Sequence, residues 1–441
     1  MAFRERIFPT WVRLTAVNRK AMRRNSDRGR LMQTGTVICG AVGLDTDLSF
    51  AYQLFALMVC VLIASRLTLR FQVPEISLRR QLPRHATAGE PFEYSIRVIN
   101  EGHRVERDLG ITDNPKVVPP DFEQFRRSKE PGEETRNAYD RWIGFHRFIW
   151  LQRLNTGITI NTSKVPDVEI TGSATATMVA TPLRRGPVYF ESTTILHPDP
   201  LALNYGIVEF DNREQLIVLP RRYAVSKRFD FQGRRNFQSG GVSSTWSIGE
   251  SDEFVSLRDY RDGDPIRKIH WASTAKRDKP VVKEFQDEFF VRQTLVVDTF
   301  RQDPADFEEV ISVAASLLTA CQNTNGLMDL CFMTHRTKIL TAGRGYAQTS
   351  QQLQALAMLQ ETAATPDELI QSLTERSRLM SGCIMVFAGM DSNRLRIIQA
   401  VENRGVPTAI FVVKHQADQT PMRSDFHLLE IGRIKEDMAN L

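Results

Sequence analysis

Apolar and polar positions change rhythm several times along this chain of 441 residues. Two uncharged runs come first, at 31–44 and 48–65. The eighteen residues of the second, at ~1.5 Å each, reach about 27 Å, near the thickness of a bilayer's hydrocarbon. The first reaches about 21 Å by the same rise and is weakened by Gly35, Gly40 and Gly43. Asp45 and Asp47 lie between the runs; Arg66, Arg70, Arg79 and Arg80 follow the second. Basic flanks around an acidic centre predict a transmembrane helical hairpin over 31–66 with both ends in the cytoplasm. A single span with a re-entrant first segment and a buried pair of soluble helices are the other readings.

From about Val73 the period shortens to two. Residues 91–100 alternate apolar and polar and end in the turn signal Asn100-Glu-Gly; similar short runs occur at 173–180, 187–196 and 215–219. Short strands without intervening helices predict an all-β sandwich over 73–221. Residues 115–165 interrupt it: 124–140 is polar, and 142–154 sets Trp142, Phe145, Phe148, Trp150 and Leu151 among Arg141, Arg147 and Arg153. These apolar side chains spread round a helical axis instead of forming one stripe. The segment therefore reads as an insertion that packs in a core or domain contact, lies on a membrane surface, or stacks on single-stranded nucleic acid.

Residues 222–292 hold a linker and a densely charged stretch. Ser239-Gly-Gly-Val-Ser-Ser-Thr is flexible by composition. It lacks the Lys-Ser/Thr and following helix of a phosphate-binding loop. Over 293–441 the pattern becomes α/β. Strands are predicted at 294–298, 327–333, 382–388 and 407–413, and helices at 306–322, 350–362 and 391–403. This alternation predicts a doubly wound sheet with Asp298 at the carboxyl end of its first strand, where such sheets place ligands.

Charge changes the picture once it is located. The formal net charge is +5. Residues 1–30 hold nine basic residues against two acidic ones, leaving 48 basic and 50 acidic residues beyond. The basic character belongs to an N-terminal cytoplasmic tail, not to a nucleic-acid-binding face. Cys39, Cys60, Cys321, Cys331 and Cys383 have no metal-ligand spacing and read as small core residues of a reducing compartment. No motif for a nucleotide, flavin or haem is present, so no cofactor is expected.

The candidate chemistry lies in Glu253-Phe-Val-Ser-Leu-Arg258-Asp-Tyr260-Arg-Asp-Gly263-Asp264-Pro-Ile-Arg267-Lys-Ile-His270-Trp271, closing with Lys283-Glu284-Phe285. Nine acids and eight bases between Asp252 and Glu288 predict a mutually satisfied ion-pair network. It would fix an irregular segment onto the next domain or form a protein-docking surface, since Arg, Tyr and Trp are enriched at hot spots. A hydrolase using His270 with Asp264 or Glu253 is the enzymatic alternative. Ser273 and Thr274 follow His270 too closely for a nucleophile elbow, and the chain is expected not to be an enzyme. A structural cell-envelope protein is the third reading.

The charged stretch resembles the domain of unknown function 58 family. Gly89-Glu-Pro-Phe, Arg184-Arg-Gly186-Pro-Val-Tyr, Asp199-Pro-Leu and Val218-Leu-Pro-Arg221 look like landmarks of the immunoglobulin-like domain that precedes this motif in the family. The resemblance spans roughly 31–415 and implies that 293–441 is similar to a von Willebrand factor A domain. That fold often binds a cation through Asp-x-Ser-x-Ser. Asp298-Thr-Phe-Arg301-Gln302 has lost both serines and gained Arg301, so Asp298 is a poor metal ligand and better suited to a cap or salt bridge. The family's association with MoxR-type AAA+ ATPases implies such an ATPase as partner, with other membrane or von Willebrand A proteins next. The implied role is a scaffold at the inner membrane, its bulk in the cytoplasm.

Overall fold

The computed structural model describes residues 8–15, 23–42, 49–226, 239–264, 266–277, 279–289, 292–302, 304–321, 327–342, 346–415 and 423–441. The chain divides into two compact units, Met1–Leu219 and Pro220–Leu441.

The first unit begins with three helices, α1 (8–15), α2 (Asp27–Val42) and α3 (Ser49–Phe71). α2 and α3 pack antiparallel, Gly35 facing the end of Met58 and Gly40 the ring of Phe55. A Cβ at Gly40 would stand 3.0 Å from that ring, so the smallest residue permits the approach. Among the described residues one helix, Phe50–Phe71, is long and apolar enough to cross a membrane. The second span expected over 31–44 has no such support. α2 is 16 residues long and starts upstream of the apolar run. Its Gly29 is buried against the Leu203 carbonyl.

The sandwich follows with β1 (Ile76–Gln81), β2 (His85–Thr87), β3 (Phe92–Asn100) and β4 (Gly110–Pro115). The insertion supplies α4 (Phe122–Arg127), α5 (Ala138–Ile143) and α6 (Phe145–Thr156). Then come β5 (Ile158–Ile160), β6 (Ser163–Lys164), β7 (Ser173–Pro182), β8 (Gly186–Pro198) and β9 (Tyr205–Leu219). Two sheets form, ordered β1-β3-β7-β5 and β2-β9-β8-β4-β6, and all pairings but β2 with β9 are antiparallel. Every second residue of β3 points inward, so Tyr94, Ile96 and Val98 meet Ile111, Phe190, Ile195 and Leu216 of the other sheet in one core.

An ion pair is buried in that core. Arg80 donates from Nε and Nη2 to the Asp113 carboxylate at 2.9 and 2.8 Å, and both side chains are fully buried. Tyr94 Oη and Thr193 Oγ1 donate to the same carboxylate at 2.7 and 2.5 Å. Arg80 also donates to the Asn212 carbonyl and lies 4.9 Å over the Phe190 ring. Burial, and then the charge of Asp113, push the Tyr94 phenol far above its ordinary range, so it donates as the neutral hydroxyl.

The insertion is a small aromatic core. Asp121 and Asn137 cap α4 and α5, each accepting a backbone N–H at its helix start. Phe125, Phe148 and Leu151 are buried with Phe8 and Trp11 of α1. The Phe8 and Phe148 rings meet edge to face, 5.4 Å apart at 87°. Of the three readings of the insertion, core packing is the one these contacts realise. Residues 8–15 are thus not simply a basic tail, because their aromatic face is spent in this cluster.

The second unit opens with a long antiparallel hairpin, β10 (Ser239–Asp259) and β11 (Val281–Phe289), with the short helix α7 (Trp271–Arg277) between them. Then follow β12 (Arg292–Val297), α8 (Pro304–Ala320), β13 (Leu327–Met333), β14 (Thr337–Ala342), α9 (Tyr346–Met358), α10 (Asp367–Arg376), β15 (Gly382–Ala388), α11 (Ser392–Glu402), β16 (Thr408–Lys414), β17 (His427–Glu430) and α12 (Ile434–Ala439). The sheet order is β14-β13-β12-β15-β16-β17, parallel except for the edge strand β14. Strand order turns back between β12 and β15, a topological switch point. Val296, Cys331 and Met385 pack with Leu369, Leu373 and Ile397 of α10 and α11 on one face. Leu295, Val297 and Ile384, of the opposite parity, are equally buried, and α8 packs against their strands.

Replacing Asp113 by Ala leaves the Arg80 guanidinium buried without its counter-charge and should cost roughly 3–5 kcal/mol. Hydrogen exchange of the β3 amides in the solubilised protein should show the loss. The apolar pair Arg80→Met with Asp113→Leu should be markedly less harmful than Asp113→Ala alone.

Candidate functional site

The charged stretch folds as the tip of the β10–β11 hairpin. Arg258 pairs across the ladder with Val282, Leu257 with Lys283 and Ser256 with Glu284. Beyond Asp259 the chain turns at 261–264: Asp264 N–H donates to the Arg261 carbonyl at 3.0 Å, and Gly263 takes φ 104°, which suits its lack of a side chain. The Asp264 carboxylate accepts both Arg258 Nη1 and Nη2 at 2.7 and 2.8 Å, and the Arg261 N–H at 2.9 Å. The Arg258 bond and the Arg261 N–H hold this carboxyl at about 2, below the ordinary carboxylate range.

His270 ends the turn. Its N–H donates to the Val281 carbonyl at 2.8 Å, and its own carbonyl accepts from Ser273 and Thr274 at the start of α7. Its ring Nδ1 lies 2.7 Å from Ser273 Oγ, and Thr274 Oγ1 accepts from Val281 N–H at 3.1 Å. These bonds stitch α7 to β11. Tyr260 N–H donates to the Pro280 carbonyl and its side chain is half-buried, as is that of Lys283. Glu253 and Glu284 have backbone in β10 and β11; their side chains lie outside the described residues. The geometry thus unites Arg258 with Asp264, and His270 with Ser273, but brings no carboxylate to His270 among the described residues. Ile266 and Trp271 are 68% and 65% exposed, and Arg267 is exposed between them in sequence.

Asp298 follows β12 at the switch point and is 1% exposed. Its carboxylate accepts from Arg394 Nε at 2.7 Å, from the Ala388 N–H at 3.1 Å and from the Phe300 N–H at 3.0 Å. Asp391 caps α11 through the Arg394 N–H at 2.8 Å and holds Arg394 Nη1 at 3.0 Å. Burial pushes the Asp298 carboxyl upward, and Arg394 and the two N–H groups oppose that. Sequence reasoning placed Asp298 at a strand end but missed Arg394, which lies on the helix after the neighbouring strand. The available signal was Asp391-x-x-Arg394, a capping acid with an arginine one turn on. Arg394 occupies one side of Asp298, where a cation would otherwise approach, and no group of three or more His, Cys, Asp or Glu suited to a metal occurs among the described residues. A shallow cavity of about 350 Å³ opens nearby, lined by Arg301, Thr365, Asp367, Arg394 and Arg396 among others.

Comparison with known proteins bears out the family resemblance over part of the chain. Residues 256–428, from the hairpin tip into β17, match the family described as "Protein of unknown function DUF58". "Uncharacterized protein YeaD" of Bacillus subtilis (strain 168) is 29% identical over 184 residues, 41% of this chain. The match spans 45% of that relative's length. Among solved structures, a PapD-like domain of human CEP192 is 14% identical, covering 33% of this chain and 87% of its own, with a TM-score of 0.18. A cohesin module of a Clostridium perfringens family 33 glycoside hydrolase is 8% identical, covering 33% and 98%, with a TM-score of 0.16. Neither structural likeness carries an argument.

Two outcomes follow from the two carboxylates. The Asp264 ion pair is complete above the ordinary carboxylate range and lost as pH falls through about 2. A carbon-detected NMR titration should find Asp264 still ionised at pH 3, and Arg258→Ala should return it toward the ordinary range. Substituting Arg394 by Ala strands Asp298 in a buried site at a cost of roughly 3–5 kcal/mol. Magnesium should leave the thermal unfolding of the unsubstituted protein unchanged, because Arg394 already engages Asp298.

Proposed function

We propose, from the match of residues 256–428 to the DUF58 family, that the chain is a membrane-anchored adaptor whose hairpin tip docks on a protein partner, a MoxR-type AAA+ ATPase. The observation that carries the reading is the division of labour at the tip. Arg258 and Asp264 satisfy each other and fix the turn, while Ile266, Arg267 and Trp271 face water. An exposed aromatic, an aliphatic and an arginine on a preorganised loop are the residue types that anchor protein interfaces. The identity of the partner rests on the family resemblance. The ATPase would supply the work, and this chain would present a client or membrane complex to it without being an enzyme itself.

In this reading α3, with the shorter α2 packed antiparallel against it, anchors the chain in the inner membrane as a hairpin, with both folded units on the cytoplasmic side where Arg66 and Arg70 stand. The sandwich is an immunoglobulin-like spacer. The strand order and single antiparallel edge strand of the six-stranded sheet support reading it as von Willebrand A-like, with Arg394 serving where that fold often holds a cation. His270 is a structural residue in this reading, its backbone bonds tying α7 to β11 while its ring Nδ1 lies 2.7 Å from Ser273 Oγ.

The test is quantitative affinity purification of the tagged, detergent-solubilised full chain from its native host, with mass spectrometry. The ATPase should be recovered with the unsubstituted protein. Trp271→Ala with Ile266→Ser should reduce recovery about tenfold or more, as loss of one anchor residue is worth roughly 2 kcal/mol. Recovery that the variant leaves undiminished, or no ATPase in either sample, would overturn the assignment.

A further inference from the structure

The landmark Asp199-Pro-Leu belongs to the six-residue loop joining β8 to β9, and this loop grips α2 and α3. Asp199 folds the loop on itself: its Oδ1 accepts from Leu201 N–H at 2.8 Å and Leu203 N–H at 3.1 Å, and its Oδ2 from Asn204 N–H at 3.0 Å. Ser65 of α3 donates its hydroxyl to Asp199 Oδ2 and accepts from Asn204 Nδ2 at 2.6 Å. Ser26, which caps α2 by accepting the Gly29 N–H at 2.9 Å, donates its hydroxyl to the carbonyls of Ala202 and Leu203. Ser65, Asp199 and Asn204 are 1%, 3% and 2% exposed. A Cβ on Gly29 would lie 1.9 Å from the Leu203 carbonyl oxygen, so α2 reaches the loop only because that residue is glycine.

This grip fixes a depth. On one side of it the helices present Leu31, Val37, Ile38, Leu57 and Ile63 to the outside, all more than half exposed. From Ser65 back to Ser49, α3 rises about 24 Å, most of a bilayer's hydrocarbon thickness. At the level of the grip itself stand a carboxylate and the exposed Arg28, Arg30, Arg66 and Arg70, which hydrocarbon does not accommodate. Leu201, in the same loop, is 53% exposed.

We propose that loop 199–204 is an interfacial clamp, locking the sandwich to the helices at lipid-headgroup depth, with Leu201 at the acyl boundary and the arginines meeting anionic lipid phosphates. Surface arginines are drawn to an anionic leaflet, and the buried hydrogen bonds keep the sandwich from swinging on a free linker. The proposal rests on reading α3 as a membrane helix, and its test separates the two. The full chain, carrying Cys39→Ala, Cys60→Ala and Cys321→Ser, receives one new cysteine for an environment-sensitive fluorophore at Leu201→Cys, Leu57→Cys or, toward the far end of β9, Gln215→Cys. Each is reconstituted in vesicles of phosphatidylcholine and phosphatidylglycerol with doxyl quenchers placed near the headgroup or near the chain end.

The expected result is headgroup-level quenching at 201, deep quenching at 57 and none at 215. Ser65→Val should abolish quenching at 201 while that at 57 persists. Deep quenching at 57 with a water-exposed probe at 201 would overturn the clamp and leave the membrane helix standing. Absence of quenching at all three positions would remove both. Should Ser65→Val fail to fold, the depth of the probe at 201 decides alone.

Discussion

A carboxylate withdrawn from water has to be answered by donors, and this chain meets that constraint at each of its structural joins. Asp113 ties the two sheets of the sandwich together, because Arg80 and Tyr94 come from one sheet and Asp113 and Thr193 from the other. Asp199 ties the sandwich to the helices through Ser65. Asp298 ties the end of β12 to the start of α11 through Arg394. Apolar contacts supply most of the burial free energy, but they tolerate sliding. A buried acid with three or four directed bonds tolerates far less, since misregister leaves it unpaired at a cost of several kcal/mol.

The same constraint decides which groups remain for other molecules. Arg394 and Asp298 are spent on each other, as are Arg258 and Asp264. The chemistry left facing outward is of a different kind: Ile266, Arg267 and Trp271 at the hairpin tip, and the apolar flanks and arginines of α2 and α3.

Much of the local structure was legible in the sequence because it follows from short-range periodicity. The run at 48–65 reads as one long apolar helix, and α3 covers it from Ser49 on. Alternation at 91–100 reads as a half-buried strand, and β3 buries every second side chain there. The short partners went unread: β14, β17, α10 and α12 were absent from the expectation. The edge strands β14 and β17 carry the polar residues Thr337, Lys338, His427 and Glu430 that blur the apolar signal of a buried strand. α10 has a strong apolar stripe, but at ten residues it is brief. The insertion was ambiguous for another reason. Phe125, Phe148 and Leu151 find their partners in Phe8 and Trp11, more than a hundred residues upstream, and no local period encodes that.

What the sequence by itself determined is therefore the kind of each principal element and the places where charge accumulates. It marked the apolar helix bounded by Arg66, the dense mixture of acids and bases between Asp252 and Glu288, and the aspartate at the end of the first parallel strand. Those features depend on neighbours within a few residues. Tertiary structure alone decided which charges face solvent and which are consumed. The Arg394 guanidinium reaches Asp298 only because β15 lies beside β12. Ser65 reaches Asp199 only because the β8–β9 turn returns to the helices. Such pairings join residues 96 and 134 apart, and their geometry is set by strand order and packing, which no local pattern specifies.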